Sequence, residues 1–444
     1  MARISNKIIL TAFLISAAGS LLGAAESRHL DAAKAAARWL DSAQIKTERG
    51  IAWPADPSDP NSINASLYAG TPGVILFFLE LHTATDDQSA LDTARAGTDD
   101  LLARLKAETG AGFYEGAAGI GYALEEVFKA TGDEKYRRGF LQALDKIRAG
   151  AVPAGAGVEW STVTDVIGGS AGIGLFLLYA DEKIDDPAWL ELAVKTGRRL
   201  IELGRPKGGG LDWAMDPGYP RLMPNFAHGT AGVAFFLTRL YERTKRKEFL
   251  DAALAGARYL QAIAKTEGDV CLVFHHEPGG KDLYYLGWCH GPVGTARLFH
   301  RLSLVTKDPS WTDWVRKSAR GISASGIPET QTPGFWNNDG LCCGLAGVAD
   351  FFLSLYRTAR DPADLAFCDR VTDALLAAAA VGDGRMKWIQ AEHRARPDFL
   401  VAQTGLMQGA AGIGLYLLRR DGLERGRAPR IVLPDSGFGP DSSR

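Results

Sequence analysis

Two kinds of hydrophobic pattern alternate along the chain. The stretches SALDTARAGTDDLLARLKAE, KYRRGFLQALDKIRAG, PAWLELAVKTGRRLIELG and KEFLDAALAGARYLQAIAKT place apolar residues at i, i+3 or i+4, and i+7. That spacing predicts amphipathic helices with one buried stripe. Between them lie runs that are apolar nearly all round, such as GTPGVILFFLEL from Gly70 and GSAGIGLFLLYA from Gly169. A helix of this second kind has no solvent face and must be enclosed by others. Strand-like alternation is scarce, and Pro and Gly in RPKGGGLDW and IPETQTPGFW mark breaks between elements.

Each enclosed run opens on G-x-x-G. The first glycines are Gly70, Gly116, Gly169, Gly229, Gly291, Gly344 and Gly409, spaced 46 to 65 residues apart by subtraction of those positions. A supersecondary unit recurring at such a period marks a repeat architecture. Each unit reads as an outer amphipathic helix, a loop, and a glycine turn opening an inner apolar helix. Seven such pairs predict an all-α fold closed into an (α/α)7 toroid, with the loops before the inner helices converging at one end of the ring. The alternative is an open superhelix of helical pairs. On this reading residues 1–25 are a signal peptide, 26–426 a single toroid, and 427–444 an irregular tail rich in Pro, Ser and Gly.

The N-terminus adds a compartment. Arg3 and Lys7 precede an apolar stretch from Ile8 to Leu22, and Gly23-Ala24-Ala25 offers a small-residue cleavage site. That pattern predicts a secretory signal and an exported protein, periplasmic or secreted, with an uncleaved membrane anchor as the alternative. No other segment approaches the roughly 18 apolar residues of a membrane span. The net charge of −2 gives no electrostatic reason to expect nucleic acid or an anionic membrane as partner.

Export makes the cysteines informative. There are five, an odd number: Cys271, Cys289, Cys342, Cys343 and Cys368. Adjacent Cys342 and Cys343 would form a strained ring if bridged to each other. They sit in LCCGLAG at the sixth glycine turn, and Cys289 sits in GWCHGPVG at the fifth. If the ring closes, three sulfurs come from neighbouring helix starts, a set whose softness suits zinc with a fourth position open. The bland reading is a small buried pair packing a helix start. Cys271 and Cys368 fall outside the turns and read as structural thiols.

Directly before the first glycine, turns four, five and six carry His228, His290 and Cys343; the other four carry Ala69, Glu115, Gly168 and Gln408. His228 could accept and donate a proton, or be a helix-start histidine satisfied by backbone. His290, beside a candidate ligand, could point into the same mouth. Asp165, slightly upstream of turn three, could orient a histidine, bind substrate, or act as an ordinary cap. His275 and His276 in VFHHEPGG lie in a loop with no matched partner and read as a surface pair.

Together GWCHGPVG, LCCGLAG, AHGTAG and the seven glycine turns resemble the lanthionine synthetase C-like (LanC-like) family, from about Gly70 to Leu418. The resemblance implies a seven-fold α/α toroid with one zinc at its mouth. It implies a cyclase that activates a peptide cysteine and adds it across dehydroalanine or dehydrobutyrine, forming a thioether. Carried over by motif, Cys289, Cys342 and Cys343 would ligate zinc. His228 would protonate the resulting enolate or deprotonate the thiol, and Asp165 matches an acidic position in the same cavity. Two departures stand out. Most relatives have C-H-G where this chain has Cys342-Cys343-Gly344, although a three-cysteine variant occurs in some bifunctional lanthipeptide synthetases. Lanthipeptide rings are also usually formed in the cytoplasm, before export. No dehydratase or kinase-like segment is present, so the chain reads as a stand-alone cyclase acting on a dehydrated peptide or using glutathione as the thiol. Two alternatives remain: an exported zinc-binding protein that holds peptides without catalysis, and a toroid glycosidase or lyase, which would want paired carboxylates.

Overall fold

The computed structural model describes residues 27–330 and 334–438. Among them are fourteen α-helices, opening with α1 (Arg28–Ala43). Then come α2 (Thr71–Thr85), α3 (Gln88–Arg104), α4 (Ala117–Thr131), α5 (Glu134–Gly150), α6 (Ser170–Lys183) and α7 (Ala188–Leu203). The second half holds α8 (Thr230–Thr244), α9 (Lys247–Ile263), α10 (Pro292–Thr306), α11 (Ser310–Ser323), α12 (Leu345–Ala359), α13 (Pro362–Ala377) and α14 (Ala410–Glu424). Every even-numbered helix starts one residue after the first glycine of a turn. These form the inner ring.

The two hydrophobic patterns sort the helices into two layers. In α2 every residue from Thr71 to Leu81 is buried, and in α6 every residue from Ser170 to Ala180. In α7 burial is confined to Trp189, Ala193, Val194, Thr196, Gly197 and Leu200, a single stripe. Each outer helix packs on the inner helix before it, and each inner helix packs on the next. The circle closes because α14 packs on α2, while α1 supplies the outer cover of α14. Ser27 Oγ donates to Asp421 Oδ1 at 2.5 Å across this seam, and Arg28 meets Asp373 at 2.6 Å. The ring is therefore closed, and the open superhelix is ruled out.

The second glycine of each turn is what lets the inner helices start so close to their loops. A Cβ at Gly232 would lie 2.1 Å from the Phe226 carbonyl oxygen, and one at Gly412 only 1.7 Å from that of Leu406. No side chain fits there. On the outer layer a tryptophan recurs as an anchor. The indoles of Trp53, Trp160, Trp213 and Trp388 donate to the carbonyls of Leu40, Ile147, Leu200 and Leu375, each thirteen residues earlier at an outer-helix end. A helix C-terminus leaves carbonyls without partners, and the indole satisfies one of them. Short two-stranded ribbons link some of the pairs.

After α14 the chain runs from Arg427 to Phe438 without helix or strand, back across the inner helices. Buried Glu80 on α2 accepts the backbone N–H groups of Arg430 and Ile431, both at 2.9 Å or less through Oε2. Tyr122 on α4 donates to the Val432 carbonyl at 2.9 Å, and Arg419 on α14 to that of Ile431 at 3.1 Å. Phe438 stacks on His300 of α10 with ring centres 4.5 Å apart. A cavity of about 650 Å³ remains beside this segment, roofed by Tyr114, Trp288, Leu341 and Met407.

Candidate metal centre

The loops leading into the seven inner helices are stitched into a cycle by their backbones. Tyr68 N–H donates to the Tyr114 carbonyl (3.1 Å), Tyr114 to Ile167 (2.9 Å), Val166 to Ala227 (3.1 Å) and Ala227 to Cys289 (2.9 Å). Cys289 donates to Cys342 (3.2 Å), Cys342 to Met407 (2.8 Å), and Met407 back to Tyr68 (2.9 Å). Apart from Val166, one residue further upstream, all of these lie two residues before a first glycine. The cycle puts equivalent positions of successive repeats side by side, so Cys289 and Cys342 come together and the next residue of each turn shares one end of the ring.

There the three sulfurs meet. Cys289 Sγ lies 3.1 Å from Cys343 Sγ, and Cys343 Sγ 3.4 Å from Cys342 Sγ. All three are buried, and all lie within 4.8 Å of one another; among the described residues no other group of three or more His, Cys, Asp or Glu ligand atoms is so disposed. All five cysteines are free thiols. Sulfurs bound tetrahedrally at about 2.3 Å from zinc sit about 3.8 Å apart, so the Cys289–Cys343 and Cys343–Cys342 separations of 3.1 and 3.4 Å would each widen by less than about 1 Å to hold one. Soft, buried and backbone-fixed, this donor set fits zinc.

Electrostatics separate the three thiols. Burial pushes those of Cys289 and Cys342 well up. Hydrogen bonding from Cys289, Cys342 and Gln408 instead holds Cys343 well below the usual thiol range. Gln408 Nε2 lies 3.6 Å from Cys343 Sγ and 3.1 Å from the Tyr68 hydroxyl, while its Oε1 accepts from Asn338 at 2.9 Å. By contrast Cys271 and Cys368 are buried away from the cluster, with thiols pushed up to about 12 and about 11.

His228 stands in the same mouth. Its Nδ1 lies 2.6 Å from Asp165 Oδ2, with the imidazole 29% exposed and the aspartate only 2%. The other oxygen of Asp165 accepts from the N–H groups of Gly168 and Gly169, both at 2.9 Å. The same carboxylate thus caps its own turn and orients a histidine. Glu115, from turn two, has its carboxyl raised by burial and by nearby Asp165.

His290 is buried beside His228, with ring centres 5.4 Å apart, and stacks on His275 at 4.1 Å. Burial, reinforced by the neighbouring imidazoles, holds it well below the usual histidine range. The surface assignment of His275 and His276 is therefore corrected. His276 is only 7% exposed, and His275 is wedged between His290 and Tyr285, its pKa pushed down by burial to about 3. Their loop folds back over the mouth, which periodicity cannot reveal. Gln408 and Glu115 did have a signal, since both occupy the position directly before a first glycine.

A sequence model described as lanthionine synthetase C-like protein matches residues 62–433. Among solved structures, one of a nisin cyclase superposes with a TM-score of 0.64 at 17% identity, over 91% of this chain and 96% of that one. A GH76 α-mannanase of Bacteroides thetaiotaomicron superposes with a TM-score of 0.50 at 10% identity, over 90% of this chain and 97% of that one. A comparison with curated protein sequences gives no match. At these identities the two structures attest the fold, and the match over most of the length attests the family: this chain belongs to the lanthionine synthetase C-like family.

Proposed function

We propose that this protein is a zinc-dependent enzyme of the cyclase type. It would add a thiol to a dehydroalanine or dehydrobutyrine residue to form a thioether. The observation that carries this reading is the meeting, in one mouth, of the Cys289–Cys342–Cys343 cluster with the His228–Asp165 pair. Cys289, Cys342 and Cys343 would hold zinc, with Cys343 standing where most relatives place a histidine. Bound there, zinc would supply a Lewis acid that favours the thiolate form of an incoming thiol at neutral pH.

The protein's own groups handle the proton. With Nδ1 engaged by Asp165, His228 is left with Nε2 to exchange a proton with substrate. It takes the proton of the incoming thiol. The sulfur then bonds to the β-carbon of the dehydroamino acid, and the C=C electron pair moves onto the α-carbon and its carbonyl as an enolate. His228 returns the proton to the α-carbon. Nothing is oxidised or reduced, and no group leaves. Asp165 holds the imidazole in one tautomer and steadies its charged form, while neutral His290 packs beside it.

The substrate we propose is a dehydrated peptide carrying its own cysteine, or a small thiol such as glutathione acting on a dehydrated residue. Among the described residues no helix is long and apolar enough to cross a membrane. The predicted export signal lies outside the described residues, and we retain export as part of the proposal.

The test uses a synthetic peptide with one dehydroalanine and one cysteine. Ring closure leaves its mass unchanged but removes its alkylatable thiol. Loss of that thiol with the wild type, and not with His228→Ala, is the expected result. A thiol that stays free with zinc-loaded wild type, both with this peptide and with glutathione offered to a dehydroalanine peptide, overturns the reading. The glycosidase alternative fares poorly here, because Asp165 is committed to His228 and to two backbone amides.

A further inference from the structure

Asp435 is an unexpected residue to find at the centre of the molecule. It arrives on the irregular segment after α14, yet it is 0% exposed. Its Oδ2 accepts from the Trp288 indole at 3.0 Å and the Tyr114 hydroxyl at 3.1 Å, and faces Arg297 at 3.3 Å. Arg297 also donates to the Asp435 carbonyl at 2.9 Å. The other carboxylate oxygen, Oδ1, is buried with no hydrogen-bond partner. A buried carboxylate with one oxygen unsatisfied is costly, and an apolar side chain would fill the same space at less expense.

What it holds is the support of the cluster. Trp288 is covalently next to Cys289, and its backbone N–H donates to the Cys342 carbonyl at 2.7 Å. Fixing the indole therefore fixes the peptide that carries one sulfur and the carbonyl attached to another. Tyr114, the second donor to Asp435, belongs to the same backbone cycle and packs on Trp288 with ring centres 5.1 Å apart. We propose that Asp435 is a positioning residue for the thiol cluster: carried into the ring by the C-terminal segment, it clamps Trp288 from beneath and sets the spacing of Cys289 and Cys342. This rests on the reading of the three thiols as a metal site, but not on the reaction performed there.

The test is Co2+ binding to reduced full-length protein stripped by chelation, read by the sulfur-to-cobalt charge-transfer band beside the thermal midpoint. Asp435→Ala and Trp288→Phe are each expected to weaken Co2+ binding by about tenfold or more, as loss of groups that orient ligands typically does. The double variant should be no worse than the weaker single one, since both break one linkage. Phe438→Ala loosens the segment where it stacks on His300 while leaving Asp435 intact. It should lower the thermal midpoint without changing Co2+ affinity. Wild-type affinity in a folded Asp435→Ala or in Trp288→Phe overturns the proposal, as does an equal loss in Phe438→Ala. Should Asp435→Ala fail to fold, Trp288→Phe decides alone. A wild type that binds no Co2+ refutes the metal reading itself, an outcome distinct from the others.

Discussion

Asp165 divides its carboxylate between two tasks: Oδ2 sits 2.6 Å from Nδ1 of His228, while Oδ1 caps the glycine turn of its own loop. Asparagine keeps one acceptor oxygen, so Asp165→Asn should fold normally. It should still lose the charge that steadies a protonated His228. Thiol addition should fall about 10²-fold in Asp165→Asn and about 10²- to 10⁴-fold in His228→Ala, the usual range for lost general acid–base catalysis. Metal content should be unchanged in both, which elemental analysis beside the kinetic assay checks.

Metal binding should depend on three cysteines and ignore the other two. Wild type purified without oxygen should carry about one zinc per chain, the stoichiometry of a three-thiolate site. Cys289→Ala, Cys342→Ala and Cys343→Ala should each lose it, whereas Cys271→Ala and Cys368→Ala should keep it. Retention of zinc in Cys343→Ala would show that the third donor lies elsewhere.

The 3.1 Å approach of Cys289 and Cys343 also makes the cluster vulnerable once metal is withdrawn. Chelated protein exposed to oxidised glutathione should lose two titratable thiols and fail to take up zinc again until reduced. Zinc-loaded protein under the same treatment should keep all its thiols. Mass spectrometry of a digest should identify the Cys289–Cys343 pair.

Acid should weaken the fold through the buried histidines. His275 is held neutral, with its pKa pushed down to about 3 against about 6.5 for the free side chain. Between those values the unfolded chain binds the proton and the folded one does not. Stability is therefore intact above about pH 6.5 and is lost as pH falls toward 3, by about 1.4 kcal/mol per pH unit at most for this group. Urea unfolding of the metal-free protein at pH 7 and pH 5 should show a smaller drop in His275→Phe than in the wild type.

A tryptophan anchor gives a test of the outer layer alone. Trp213 is fully buried and its indole donates to the Leu200 carbonyl at 2.6 Å. Trp213→Phe should cost about 1–3 kcal/mol in urea unfolding, through the carbonyl left without a partner and the smaller ring. Metal content should stay at the wild-type level.

The ring and most of its mouth were legible because the fold repeats. G-x-x-G followed by an apolar run located every inner helix, and counting back from each first glycine aligned Cys289 with Cys342 and His228 with His290 and Cys343. Repetition also explains what stayed hidden. Tyr68 supports the cluster from the place where other turns have Ala227 or Met407, and a single sequence gives no reason to single it out. His275 and Tyr285 reach the mouth from a long loop without periodicity. Asp435 comes from a stretch rich in Pro, Ser and Gly, whose composition speaks of irregular backbone and says nothing about where that backbone goes.

The pairing of α1 with α14 has a consequence for the order in which the molecule is made. The other six hairpins join helices that follow one another along the chain, so each can pack soon after it leaves the ribosome. The first helix cannot. Its partner is synthesised last, and the Ser27–Asp421 contact spans 394 residues. Until then the buried stripe of α1, with Leu30, Trp39 and Leu40, has no inner helix to cover. The same missing partner leaves α2 and α12 open on one side. A nascent chain stopped before residue 410 should therefore expose both flanks of an unclosed ring, and such surfaces are the ones that aggregate or recruit chaperones.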